Sequence, residues 1–256
     1  MSEKSGRITI IDELRGLAVV CMIVYHALFT VGNIFGLRQA QDIMNFFMPV
    51  EPIFAGLFIF ISGICTKLSH SNQKRGLILA AVAIAISGVT IVLLPSIGVY
   101  GCEIYFGVIH LLAFSIIIFS LLEKLLAKIP PFFGFVIFAA AFMFTYNVPN
   151  GILGAFELST DIPQSFYDVP VLFFLGLPGT SFVSADYFPI IPWFLLFLSG
   201  SYVGVWAKNG KFPAFMYKSC IVPLQWFGKN ALIIYVLHQP IIYGIAWGIK
   251  RLITGE

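Results

Sequence analysis

The sequence predicts an all-α integral membrane protein: a polytopic helical bundle of about seven transmembrane helices with its N-terminus in the cytoplasm. Three observations carry that reading. Hydrophobic residues make up 59% of the 256 and charged residues only 11%, where a soluble domain carries about 25% charge. Apolar runs of the roughly 20 residues a helix needs to cross a bilayer recur along the chain. The basic residues lie between those runs, which is a topology signal, and a net charge of +3 spread this way is not a nucleic-acid-binding patch.

Taken in order, the first span covers residues 9–35 and is followed by a loop holding Arg38, Gln39 and Asp42. The second covers 51–68, and a short polar loop with His70, Lys74 and Arg75 separates it from the third, 76–94, which Pro95 stops. The fourth covers 104–126, and Pro130 and Pro131 divide it from the fifth, 132–146. Section 147–187 then has no Lys or Arg but holds Glu157, Asp161, Asp168 and Asp186. Within it, 169–177 is apolar but too short to cross, which suits an interfacial or re-entrant piece. The sixth span covers 188–207, a basic amphipathic segment covers 208–223, and the last span covers 225–253. Pro240 is expected to kink it.

With the N-terminus inside and seven spans, twelve of the fifteen basic residues fall in the cytoplasm, leaving Arg38, Lys250 and Arg251 outside. That is the bias the positive-inside rule requires. The N-terminal residues show no small-residue cleavage site, so no removable signal peptide is expected, and residues 1–256 read as one domain. Cys21, Cys65, Cys102 and Cys220 lack metal-ligand spacing; neither a metal site nor a disulfide framework is expected. The small patches Ser62-Gly63 and Ser199-Gly200-Ser201 permit close helix packing, including that of a homodimer.

The stretch that organises the chain is Ile11-Asp12-Glu13-Leu14-Arg15-Gly16, running on to Tyr25-His26. At about 100° per helical residue, Arg15 and His26 lie about 20° apart in projection and about 16 Å apart along the axis. Asp12, three residues before Arg15, can reach it on the same surface. The seven-span topology puts Asp12 and Arg15 at the cytoplasmic end and His26 past the midplane. Ionisable groups inside a span are costly and usually face a bundle interior or a watered cavity. The pattern fits two readings: a membrane-edge ion pair with a core histidine, or a catalytic stripe. Asp12 is about 21 Å from His26 by helical rise, too far to orient it. Later spans add Glu51, Glu103, His110, Asp186 and Trp193 at their external ends, and His238-Gln239 beside Pro240.

Five stretches, in order along nearly the whole chain, resemble the heparan-α-glucosaminide N-acetyltransferase family of the transmembrane acyltransferase superfamily. They are residues 11–26, Phe58-Ile59-Phe60-Ile61-Ser62-Gly63-Ile64, Phe106-Gly107-Val108-Ile109-His110, Phe188-Pro189-Ile190-Ile191-Pro192-Trp193-Phe194, and residues 228–240 ending in His238-Gln239-Pro240. The first and the last are the specific ones. The resemblance implies acetyl-CoA as cytoplasmic donor, an external acceptor hydroxyl or amine, often on a sugar or glycan, and multi-pass residence in the plasma (inner) membrane. The family's acetyl-carrying histidine is placed in an extended segment after the first span. Residues 32–49 contain no histidine here. The role passes to His26, as in membrane O-acetyltransferases that decorate surface glycans, or no acetylated intermediate forms.

In this reading Arg15, beside Asp12, holds the donor pyrophosphate, with Lys74, Arg75, Lys208 and Lys211 available to the nucleotide phosphates. His26 is the general base, and His110 and His238 are competing placements. Glu51, Asp186, Trp193, Tyr235 and Gln239 are the acceptor-binding candidates, with interfacial anchoring as the alternative for Trp193 and Tyr235. The rival classes are a proton-coupled small-molecule transporter, which would also use intramembrane histidines, and a non-enzymatic membrane partner subunit.

Overall fold

A computed structural model describes residues 7–254. The helices, in chain order, are α1 (Thr9–Phe29), α2 (Arg38–Phe47), α3 (Glu51–Thr66), α4 (Asn72–Ser87), α5 (Leu94–Ser96), α6 (Val108–Leu126) and α7 (Pro131–Thr145). After a two-stranded antiparallel hairpin, β1 (Ile152–Ala155) and β2 (Leu158–Asp161), come α8 (Ile190–Lys208), α9 (Val222–Lys229) and α10 (Ala231–Thr254). Seven helical segments among the described residues are long and apolar enough to cross a membrane. The chain is therefore an all-α polytopic membrane protein. Large apolar side chains on the span surfaces, such as Ile53, Ile84, Val92 and Leu121, are exposed, as suits helices solvated by lipid rather than water.

The chain forms two compact units, residues 1–58 with 212–256, and residues 59–211. In the first, α1 continues as a π-helical turn, Thr30–Ile34. Its closest neighbour is α9, and the crossing is backbone on backbone. A Cβ on Gly16 would sit 1.9 Å from the Leu224 carbonyl oxygen, and one on Gly228 would sit 1.8 Å from that of Asp12. Only hydrogen fits at either position.

The second unit uses the same device. A Cβ on Gly63 of α3 would fall 2.1 Å from the Phe197 carbonyl oxygen, and one on Gly200 of α8 would fall 2.1 Å from that of Phe60. The small patches at Ser62-Gly63 and Gly200 are thus occupied within the chain. Gly134 of α7 lies under the ring of Tyr202, whose hydroxyl donates to the Leu126 carbonyl at 2.9 Å. The Ser71 hydroxyl caps α4 by accepting from the Lys74 N–H at 3.3 Å.

Five expectations change. The loop expected at Arg38, Gln39 and Asp42 is α2, which buries Ala40 and Met44. Their i, i+4 spacing makes one apolar stripe, and the helix runs through the 3₁₀ turn Met48–Val50 into α3. The fourth span starts at Val108 rather than at 104. Just before it, Phe106 pairs with Tyr187 as an isolated bridge, and the Phe188 N–H donates to the Phe106 carbonyl at 3.0 Å. The last span starts at Ala231 rather than at 225, because α9 ends at Lys229 and Asn230 leaves helical geometry. The third span starts at Asn72 rather than at 76, so Lys74 and Arg75 lie on α4 and not in a loop; the apolar piece at 169–177 holds a short 3₁₀ turn, Pro170–Leu175.

Candidate active site

In the first unit, α1 and α10 bring two histidines together. His26 Nδ1 lies 2.7 Å from His238 Nε2, and the rings stack with centroids 4.9 Å apart. The proton positions follow from the partners. His238 Nδ1 is 2.6 Å from the carbonyl oxygen of Tyr235, which can only accept, so His238 carries its proton on Nδ1. The Nε2 of neutral His238 must then accept, and His26 donates to it from Nδ1. This assignment leaves Nε2 of His26 unprotonated and not used in the contact between the two rings.

The surroundings fix this pair. His238 and Tyr235 are buried, and the Tyr235 ring lies 5.5 Å from that of His238. One residue past His238, Gln239 Oε1 accepts from the Thr30 hydroxyl at 3.2 Å. Thr30 opens the π-helical turn at the end of α1, and such turns recur where a helix is locally re-aimed. Of the acceptor-binding candidates, Tyr235 and Gln239 thus adjoin the histidines. Glu51 is half-buried in the same unit, within electrostatic range of Tyr25.

At the other end of α1, Arg15 Nη1 lies 3.5 Å from Asp12 and 3.4 Å from the Gly228 carbonyl. Asp12 also binds Arg7 at the shorter distance of 2.5 Å, a partner the three-residue spacing to Arg15 did not suggest. Glu13 had no assigned role in the sequence. It is buried, and its Oε1 accepts from the Ser219 hydroxyl at 2.8 Å and from the N–H groups of Cys220 at 2.8 Å and Ile221 at 3.1 Å. It thereby pins the segment that enters α9. Its one sequence signal was a carboxylate at the edge of an apolar run.

The remaining candidates lie in the second unit. His110 has both ring nitrogens engaged near the start of α6. Nδ1 accepts from the Gly107 N–H at 3.2 Å, and Nε2 donates to the Ser87 hydroxyl at 2.9 Å. Ser87 in turn donates to the Ile104 carbonyl at 2.7 Å. Asp186 is buried and accepts from the Val108 N–H at 3.1 Å, at the same helix start. Trp193 is buried among Phe142, Tyr146 and Phe188, so its ring packs inside the unit. Arg75 donates to the Ser62 hydroxyl at 2.9 Å, while Lys74, Lys208 and Lys211 are exposed. Among the described residues, no cluster of His, Cys, Asp and Glu is arranged to hold a metal ion.

Seven helical segments apolar enough to cross a membrane, with a hydrogen-bonded imidazole pair carried by two of them, define a polytopic membrane protein with histidines inside its spans. The family described as heparan-alpha-glucosaminide N-acetyltransferase, catalytic, matches residues 7–240, and the chain belongs to it. It is accordingly a membrane acetyltransferase domain. No curated protein and no solved structure matches the chain.

Proposed function

We propose that this protein moves an acetyl group from acetyl-CoA, taken up on the cytoplasmic side, to a hydroxyl or amine of a sugar or glycan acceptor on the external side of the plasma membrane. Residues 1–256 act as one catalytic domain. The observation that carries this reading is the His26–His238 contact in a chain of this family. His26 Nε2 takes the proton of the acceptor as its oxygen or nitrogen attacks the thioester carbonyl. The C–S bond breaks, coenzyme A leaves as thiolate, and the proton on His26 passes to that sulfur. While His26 is cationic, its Nδ1–H bond to His238 is charge-assisted and stronger. His238 is the positioning residue, itself fixed by the Tyr235 carbonyl.

Arg15 supports the donor side. It is permanently charged, forked, and partly exposed at 19% of its side chain, the kind of group that grips a pyrophosphate. Asp12, shared with Arg7, holds it in place.

The rival, a proton-coupled transporter, would draw on the same histidine pair, but the family match favours transfer. Detergent-purified protein incubated with radiolabelled acetyl-CoA and a panel of amino sugars and neutral sugars tests the choice. Label on an acceptor together with coenzyme A release is the expected result. Proton-coupled uptake into liposomes without transfer would overturn it.

A further inference from the structure

The basic-free section after α7 forms an open pocket of about 530 Å³ in the second unit. Its walls include the rings of Tyr167, Phe182 and Tyr187, and its rim carries the side chains of Asn150, Gln164 and Thr180. The phenol hydroxyls are already committed, that of Tyr167 to the Val148 carbonyl and that of Tyr187 to the Phe173 carbonyl. The tyrosines therefore offer ring surface rather than hydroxyls, chiefly that of half-buried Tyr187, since Tyr167 is buried. Burial pushes both phenols up from the ordinary tyrosine value, so they stay neutral. Asn150, Gln164 and Thr180 are exposed and bring two amides and a hydroxyl to the rim. Aromatic side chains beside neutral donors and acceptors, with no charged group along the lining, are poor chemistry for a phosphate or a nucleotide. They suit a ring with one C–H face and several hydroxyls. The volume lies within the range of about 300–1,000 Å³ usual for small-ligand pockets.

We propose that this cavity binds a neutral sugar unit, a conclusion that rests on the sugar or glycan acceptor proposed above and assigns it a second point of attachment. With no carboxylate in the lining, the cavity prefers uncharged sugars to protonated amino sugars. Binding is flat in pH across the neutral range, since nothing lining it titrates there.

The test is saturation-transfer NMR on the purified full chain with cellobiose, maltose, lactose and N,N′-diacetylchitobiose at millimolar concentration. At least one should bind the wild-type protein. Gln164→Ala and Asn150→Ala, both on the exposed rim, should each weaken it about threefold to tenfold, the loss of one hydrogen bond. Phe182→Leu keeps the site apolar, should weaken binding further, and is checked for folding by its melting temperature. Failure of all four sugars to bind, or affinities unmoved in the rim variants, overturns the proposal. Coenzyme A release by the wild type with a small soluble amine, measured alongside, judges the acetyl-transfer reading separately. Release without sugar binding removes the cavity alone; sugar binding without release leaves the cavity and removes the transferase reading.

Discussion

His26 and His238 are 212 residues apart and share one hydrogen bond of 2.7 Å, Nδ1 to Nε2. The acceptor-only carbonyl of Tyr235 beneath His238 sets the direction of the pair and so decides which nitrogen of His26 is basic. His26→Gln keeps a polar side chain of similar size but cannot shuttle a proton near neutral pH. It should lower kcat at least about 10²-fold, the low end for losing a general base, with acetyl-CoA binding retained. Single-turnover kinetics with isotope-labelled donor would show this, and wild-type turnover would end the assignment.

His238→Ala should act through His26. Without the acceptor at its Nδ1, His26 loses its fixed tautomer and orientation, and kcat should fall while KM for the donor stays put. His238→Gln offers an amide oxygen in place of Nε2 and should recover part of the loss. Were the imidazole only a packing group, Gln and Ala would differ in melting temperature and not in kcat.

The sequence carried the class of fold, the spans to within a few residues, and the two motifs that converge in the first unit. Composition and run length report on lipid solvation directly. Less of the site was visible. A histidine in an apolar run looks the same whether it meets His238, as His26 does, or an N–H and a hydroxyl at a helix start, as His110 does. The partner is set by tertiary contact. The same holds for Glu13, whose three donors lie more than 200 residues away. Helix α2 was missed because Arg38 and Asp42 dilute its hydropathy, whereas its buried stripe needs only Ala40 and Met44.

Glu13 is expected to matter for stability. Glu13→Ala leaves the buried N–H groups of Cys220 and Ile221 without their acceptor and should cost about 2–4 kcal/mol. Glu13→Gln keeps one acceptor oxygen and should cost less. Thermal unfolding in detergent would rank the two, and equal melting temperatures for Ala and wild type would mean that water replaces the carboxylate.

The α1–α9 crossing allows a sharper packing test. Gly16→Ala and Gly228→Ala each place a methyl less than 2 Å from a carbonyl oxygen of the facing helix, and backbone cannot yield as a flexible side chain can. Each should destabilise by about 1–3 kcal/mol or more. Gly244→Ala, where nothing lies within 4 Å of the added carbon, is the control and should be neutral or slightly stabilising through helix propensity. If all three variants melt together, the close approach of α1 and α9 is wrong.

Arg15 sits where the donor pyrophosphate is proposed to bind, yet its contacts to Asp12 and the Gly228 carbonyl are long, at 3.5 and 3.4 Å. A guanidinium is permanently charged and forked, which matches a pyrophosphate in two-pronged fashion. Arg15→Ala should therefore weaken coenzyme A binding by about tenfold or more, the worth of a charge-assisted contact. The fold should survive, because Asp12 retains its 2.5 Å partner Arg7. Arg15→Lys restores the charge but not the two-pronged geometry and should recover only part of the affinity. Calorimetry with coenzyme A and with dephospho-coenzyme A separates the contacts: both ligands should lose affinity alike in Arg15→Ala if the pyrophosphate is what Arg15 holds. Unchanged affinity in both substitutions would leave Arg15 as a membrane-edge anchor for α1.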